Sequence, residues 1–126
     1  MKYNIIVWSH FLFIVPLIFA LSFKIYVMAI IITLTMIVSF IYHFYREKNW
    51  VRLDRITALI LIIANIYLCY LFSFSFPYFY LALLFVCISF YFYFNSNKED
   101  YNIYHSLWHL SCAMITLFCL IGYVNR

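Results

Sequence analysis

The chain has 126 residues, of which 69% are hydrophobic and only 10% are charged, and its formal net charge is +4. A soluble globular domain carries about 25% charged residues, so this composition excludes an ordinary water-soluble protein and indicates an integral membrane protein. One glycine and two prolines leave no flexible linker, and we therefore expect a single transmembrane domain over residues 1–126. The sequence contains no basic stripe or recognition motif, so no nucleic-acid partner is expected.

Five apolar segments follow one another along the chain, each close to the ~20 residues that a helix needs to cross a ~30 Å hydrocarbon core. Because backbone groups in lipid must form hydrogen bonds within their own segment, helix is expected despite the many β-branched and aromatic residues. The predicted helices cover residues 5–23, 25–45, 51–76, 77–94 and 101–124. The sequence therefore predicts an all-α membrane bundle of about five transmembrane helices.

Polar residues and proline mark the ends of these segments. Lys24 separates the first two segments and predicts a very tight hairpin, and the polar run 46–50 separates the second from the third. Pro77 suits the first turn of the fourth helix, and residues 95–100 form the clearest loop. The start of the chain loosely resembles a secretory signal peptide, but its apolar stretch is long and rich in aromatic residues, so we expect it to remain as the first helix.

The basic residues are distributed unevenly between the two predicted membrane sides. With five spans, the N-terminus and the second and fourth loops share one side, which carries six of the eight cations: Lys2, Arg46, Lys48, Arg52, Arg55 and Lys98. The positive-inside rule then puts the N-terminus in the cytoplasm and the C-terminus outside.

Polar residues inside predicted spans cost free energy, so each one indicates a possible functional role. Ser39 and His43 lie four residues apart near the end of the second helix, and His105 and His109 lie four apart near the start of the fifth. Residues at i and i+4 share a helix face. Asp54 lies at the beginning of the third helix. The predicted topology puts all five residues at a similar depth on the cytoplasmic side.

This convergence predicts a metal site. Three neutral imidazoles with an open water position are the ligand set of a catalytic zinc site, and zinc lowers the pKa of its water towards ~7. Asp54 could act as general base or orient a histidine, and Ser39 could hold the water. Taken singly, each feature has a simpler interpretation: a histidine pair alone is weak evidence, Asp54 could form an interfacial ion pair, and Ser39 could bond to its own helix.

These motifs resemble the CREST superfamily, which includes alkaline ceramidases, progestin and adipoQ receptors, haemolysin III-like proteins and myomaker-like proteins. The matching residues are Ser-Phe-Ile-Tyr-His over 39–43, Asp54, and His-Ser-Leu-Trp-His over 105–109. The resemblance implies Zn²⁺ held by His43, His105 and His109, with Ser39 and Asp54 beside the water. It also implies hydrolysis of an amide or ester in a lipid that enters from the bilayer. Members usually have seven spans, whereas this chain has room for five, which leaves a smaller cavity that a second subunit could complete.

The leading hypothesis is therefore a zinc-dependent intramembrane hydrolase that cleaves an acyl amide or ester bond in a membrane lipid. The alternative is a non-enzymatic receptor or membrane-remodelling protein in which the three-histidine site is structural. A haem protein is a third hypothesis, because helical histidines can ligate iron. His10, on the predicted cytoplasmic half of the first helix, could join the site, but a hydrogen-bonded packing histidine is the simpler expectation. The four cysteines (Cys69, Cys87, Cys112 and Cys119) are expected to be small core or lipid-facing residues.

Overall fold

The computed structural model describes residues 4–97 and 99–126, and within these residues it contains helices and turns but no strand. Lys2 and Lys98, which count towards the predicted cytoplasmic side, lie outside the described residues. A first helical rod consists of α1, a 3₁₀ turn and α2, and four further helices follow it. The elements are α1 (Asn4–Ser9), the 3₁₀ turn (His10–Phe13), α2 (Ile14–Ser22), α3 (Tyr26–Tyr45), α4 (Lys48–Leu71), α5 (Tyr78–Phe94) and α6 (Tyr101–Val124).

Four of these five helical segments are long and apolar enough to cross a membrane: the first rod over Ile5–Ser22, α3, α4 and α6. The prediction of an all-helical membrane bundle is confirmed by this architecture. Helix α5 is apolar but has only 17 residues, which gives about 26 Å at 1.5 Å per residue. It is therefore slightly shorter than a ~30 Å hydrocarbon core.

The connections are tight, as predicted for the first hairpin. Lys24 adopts a left-handed conformation (φ 59°) between α2 and α3, and Arg46 does the same (φ 57°) between α3 and α4. A single left-handed residue ends a right-handed helix because the next turn cannot continue in register. Both hairpins consequently hold their two helices side by side.

The bounds of α4 differ from the predicted range 51–76. The helix begins at Lys48 and ends at Leu71, because Ser73 and Phe74 both adopt left-handed conformations (φ 56° and 52°). Residues after Leu71 therefore form turns instead of a further helical turn. The apolar composition of this stretch predicts a membrane-embedded segment, but it does not predict the left-handed conformations that end the helix.

Helix α6 is the centre of the bundle. It packs against α5, α4 and the first rod, while α3 packs against α4 and the rod. Three ring pairs line the contact between α5 and α6, with centroid distances of 5.7–6.5 Å: Phe85–Phe118, Phe92–Tyr104 and Tyr93–Trp108. Helices α4 and α5, although consecutive in the chain, scarcely touch, and a cavity lies between them.

The contact between α4 and α6 is a seam of three layers. Asn65 Nδ2 donates a hydrogen bond to Thr116 Oγ1 at 3.0 Å, and one turn further along, the thiols of Cys69 and Cys119 lie 3.4 Å apart. In the third layer the ring of Phe72 covers Gly122, where a Cβ atom would lie 2.8 Å from two ring carbons. Small or polar residues thus let the two helices approach closely, as in other membrane bundles.

Candidate metal centre

All four histidines of the chain lie in one cluster at one end of the bundle. His10 comes from the 3₁₀ turn of the first rod, His43 from the last turn of α3, and His105 and His109 from the first half of α6. His10 and His109 have ring centroids 4.2 Å apart, His105 and His109 4.6 Å, His43 and His105 4.8 Å, and His10 and His43 5.1 Å. The fold therefore gathers imidazoles from three separate segments.

The 3₁₀ turn that carries His10 has a local cause in the sequence. Pro16 has no N–H group to donate to the carbonyl of Leu12, and its ring crowds that carbonyl. The chain accommodates this with a tighter turn over His10–Phe13 before the regular helix resumes at Ile14. His10 is consequently directed into the bundle, where only 2% of its surface is exposed.

Three of the four histidines could hold a metal ion. One ring nitrogen from each of His10, His43 and His109 lies within 4.8 Å of the others. Tetrahedral zinc with Zn–N distances of about 2.0–2.1 Å places its nitrogens roughly 3.4 Å apart, so the nitrogens need to draw together by at most about 1.4 Å. His105 adjoins this group, with its Nε2 atom 3.2 Å from Nε2 of His43, which is close to the spacing of two zinc ligands, but it does not belong to the set whose nitrogens all lie within 4.8 Å of one another.

The surroundings of His10 fit a metal ligand better than a packing residue. Within the described residues, its Nε2 atom is buried and has no hydrogen-bond partner. Leaving a buried polar atom unsatisfied costs about 1–3 kcal/mol, and a metal ion would remove that cost. The expectation of a hydrogen-bonded packing histidine therefore does not describe this atom.

Ser9 sets the tautomer of His109. Its hydroxyl donates its single proton to the carbonyl of Ile6 at 2.6 Å, so it can only accept a hydrogen bond from Nδ1 of His109 at 2.7 Å. Nδ1 must then carry the proton, and Nε2 is left with a free lone pair. A ligating histidine is usually oriented through its other nitrogen in this way. Ser9 thus prepares His109 to bind metal through Nε2.

Replacing Ser9 with alanine is expected to weaken the binding of a metal ion at this histidine group by about 10- to 100-fold, the range found for partners of ligating histidines. The bundle should still fold, because the side chain is small and the change removes one hydroxyl. Titration of the apoprotein with zinc against a competing chelator measures the dissociation constant. Ser22→Ala is the matched control, since Ser22 bonds to its own helix at the other end of the rod. Equal affinities in the two variants would contradict this role for Ser9.

The remaining predicted site residues lie beside the histidines. Asp54, half-buried on α4, lies beside Ser39 of α3, close enough for the two side chains to interact. Both line the same cavity as His10 and His109. The structure therefore brings Ser39, His43, Asp54, His105 and His109 to one end of the bundle, although they come from three helices.

The cavity that these residues border has a volume of about 480 Å³ and extends along the bundle. Ser39, Asp54 and His109 line one end, and Cys69, Phe74 and Phe79 line the other. Its long wall is mainly apolar and includes a few polar side chains, such as Asn65 and Thr116. Ile62 and Ile66 on α4 and Leu83 and Phe90 on α5 line it and are also about half exposed on the outer surface: Ile62 54%, Ile66 59%, Leu83 45% and Phe90 55%. The cavity therefore reaches the surface between α4 and α5.

Two residues of the centre were not assigned to it from the sequence. His10 could have been assigned to the centre, because the predicted topology already puts it in the same half of the membrane as the other histidines. Nothing in the sequence indicates the role of Ser9, since a serine next to a histidine in an apolar helix has many simpler roles. The sequence matches no protein-family model, no curated protein and no solved structure.

Proposed function

We propose that this protein is a zinc-dependent intramembrane hydrolase, a short member of the CREST superfamily, that cleaves an acyl amide or ester bond in a membrane lipid. The observation that supports this most is the position of the cluster. A histidine group able to hold a metal ion and a serine–aspartate pair stand together at one end of a long apolar cavity. Polar and ionisable side chains inside a membrane cost free energy, so a cluster of them indicates a functional site.

The donor set favours zinc as the metal. Imidazole ligands suit zinc, copper, iron and nickel, whereas magnesium and calcium prefer oxygen ligands. Three histidines with a further position left open are typical of hydrolytic zinc sites. When bound, zinc supplies Lewis acidity, which polarises a carbonyl group and makes water nucleophilic at neutral pH.

The residues of the chain have separate tasks in this proposal. Asp54 accepts the proton of the attacking water and returns it to the leaving amine or alcohol, as a general acid–base group must. Ser39, which lies beside Asp54, would donate a hydrogen bond to the carboxylate in this mechanism and so direct its free lone pairs. Ser9 holds the ring of His109 in one orientation. The half-buried position of Asp54 keeps this proton transfer out of bulk water.

The cavity supports a lipid as substrate. Its volume of about 480 Å³ falls within the ~300–1,000 Å³ of small-molecule sites, and the residues that line it are mainly apolar. Each methylene group that leaves water contributes about 0.8 kcal/mol, but a chain that arrives from the bilayer gains little by burial alone. The wall therefore serves to align the acyl chain, which enters between α4 and α5, with its polar bond beside the histidines.

One observation favours the second candidate, a structural metal site in a non-enzymatic membrane protein. His105 lies beside His43, and four histidine ligands would close the metal shell and leave no position for water. The metal would then join the first rod, α3 and α6.

The proposed hydrolysis is tested with purified protein in vesicles that contain labelled ceramide, lysophospholipid and diacyl phospholipid. We expect wild-type protein to release labelled fatty acid from at least one of them, a chelator to abolish release, and added zinc to restore it. Mass spectrometry of the extracted lipids measures the product. Release that persists unchanged in the metal-free protein would contradict the proposal, and so would fully zinc-loaded protein that hydrolyses none of the three.

A further inference from the structure

Two thiols face each other at the end of the cavity remote from the histidines. Cys69 on α4 and Cys119 on α6 have their sulfur atoms 3.4 Å apart, and only 6% and 1% of their surfaces are exposed. They lie near the ends of their helices, which stop at Leu71 and Val124. The proposed hydrolysis makes no use of this pair.

The neighbouring layers of the seam hold these two thiols together. One turn before them, Asn65 bonds to Thr116, and one turn after them the Phe72 ring rests on Gly122. Because both flanking contacts fix the register of α4 against α6, the sulfur atoms cannot slide past one another. The juxtaposition is therefore built into the packing of the two helices.

The chemistry of the surroundings favours a disulfide over a metal thiolate. A metal ion held by two thiolates would bury ionised sulfur in an apolar wall at a high desolvation cost. A disulfide is neutral and apolar, and its sulfur atoms lie about 2.05 Å apart. The two sulfur atoms need to approach by only about 1.4 Å to form it.

We propose that Cys69 and Cys119 are an oxidation site, at which a hydroperoxide converts the two thiols to a disulfide that links α4 to α6. The sulfur of one cysteine attacks hydrogen peroxide, the O–O bond breaks, and the thiol proton leaves with the departing oxygen as water. The second sulfur then displaces hydroxide from the resulting sulfenic acid, and its own proton makes the second water. Two thiols are oxidised, one peroxide is reduced to two waters, and one S–S bond forms.

The disulfide would make the cavity wall more rigid and the protein more stable. It joins residues 50 positions apart in the chain and fixes the wall that α4 and α6 share. The oxidised protein should therefore resist unfolding more than the reduced protein, because a crosslink of this span restricts the unfolded chain. This inference is independent of the metal centre.

Alkylation of wild-type protein tests the proposal. The protein is treated with hydrogen peroxide in detergent, denatured, and alkylated with N-ethylmaleimide. Of the four cysteines, we expect Cys69 and Cys119 to be protected and Cys87 and Cys112 to be modified, with full modification restored by a reductant. Peptide mass spectrometry locates the modified residues. Peroxide should also raise the thermal midpoint by roughly 10 °C.

Two variants sharpen the result. Cys87→Ser changes an exposed cysteine on α5 and should leave the protection and the thermal shift as in wild type. Cys69→Ser should make Cys119 available to alkylation after peroxide and abolish the shift. Modification of all four cysteines in peroxide-treated wild-type protein would overturn the proposal, as would protection of Cys119 that survives in Cys69→Ser.

Discussion

Replacing His10 with alanine is expected to remove most of the zinc from the purified protein, whereas replacing His105 is expected to leave it bound. The reason is geometric, because His10 belongs with His43 and His109 to the group whose nitrogens lie within 4.8 Å of one another. Zinc sites bind with roughly 10–16 kcal/mol shared over about four ligands, so one lost ligand weakens binding about 100-fold or more. Elemental mass spectrometry should give about one zinc per chain in wild type and His105→Ala, and a small fraction of that in His10→Ala.

The comparison distinguishes three ligand sets. Gel filtration and circular dichroism in the same detergent show whether each variant keeps the helical bundle. Zinc retained in His10→Ala and lost in His105→Ala would instead support the set His43, His105 and His109 that the sequence suggests. Zinc lost from both variants would indicate four histidine ligands, which favours the structural site.

Changing Asp54 to asparagine is expected to reduce the rate of lipid hydrolysis by about 100- to 10,000-fold, the range typical of a general base. The amide has the shape of the carboxylate and can still accept a hydrogen bond from Ser39, but it cannot take a proton. Zinc content should therefore remain close to one per chain. Release of labelled fatty acid from the preferred lipid, measured under single-turnover conditions, gives the rate.

Asp100→Asn is the matched control for this change. Asp100 is exposed and lies directly before α6, on the same side of the bundle but outside the cavity, so its variant should hydrolyse lipid at the wild-type rate. A wild-type rate in Asp54→Asn would remove the aspartate from the mechanism. Loss of zinc together with activity in Asp54→Asn would instead assign Asp54 to the metal site.

Much of the fold follows from the sequence because the bilayer restricts it so strongly. Segment length and apolar composition are enough to predict helices, since lipid offers backbone groups no other partner. The same restriction explains the site: helices of similar length that alternate in direction bring the end of α3 and the starts of α4 and α6 to one level. His43, Asp54 and His109 could therefore be placed together before any coordinates were known.

The remaining features depend on contacts that sequence spacing does not encode. The role of Ser9 depends on the rotation of the first rod about its axis, which sets whether its hydroxyl meets His109. The early end of α4 depends on two residues, Ser73 and Phe74, whose left-handed backbone no propensity scale anticipates. The pairing of Cys69 with Cys119 likewise depends on the register of two helices that are distant in the chain.

Helix α5 is supported on one side only, by α6, so the bundle is less rigid between α4 and α5 than elsewhere. Its three ring pairs with α6 belong to an extensive contact between these two helices. Helix α5 scarcely touches α4, so in a bilayer this edge would be open to acyl chains. Lateral pressure in the bilayer would therefore act on the edge of α5 that no other helix supports. The fluidity of the host membrane would then help to set the width of the opening between α4 and α5.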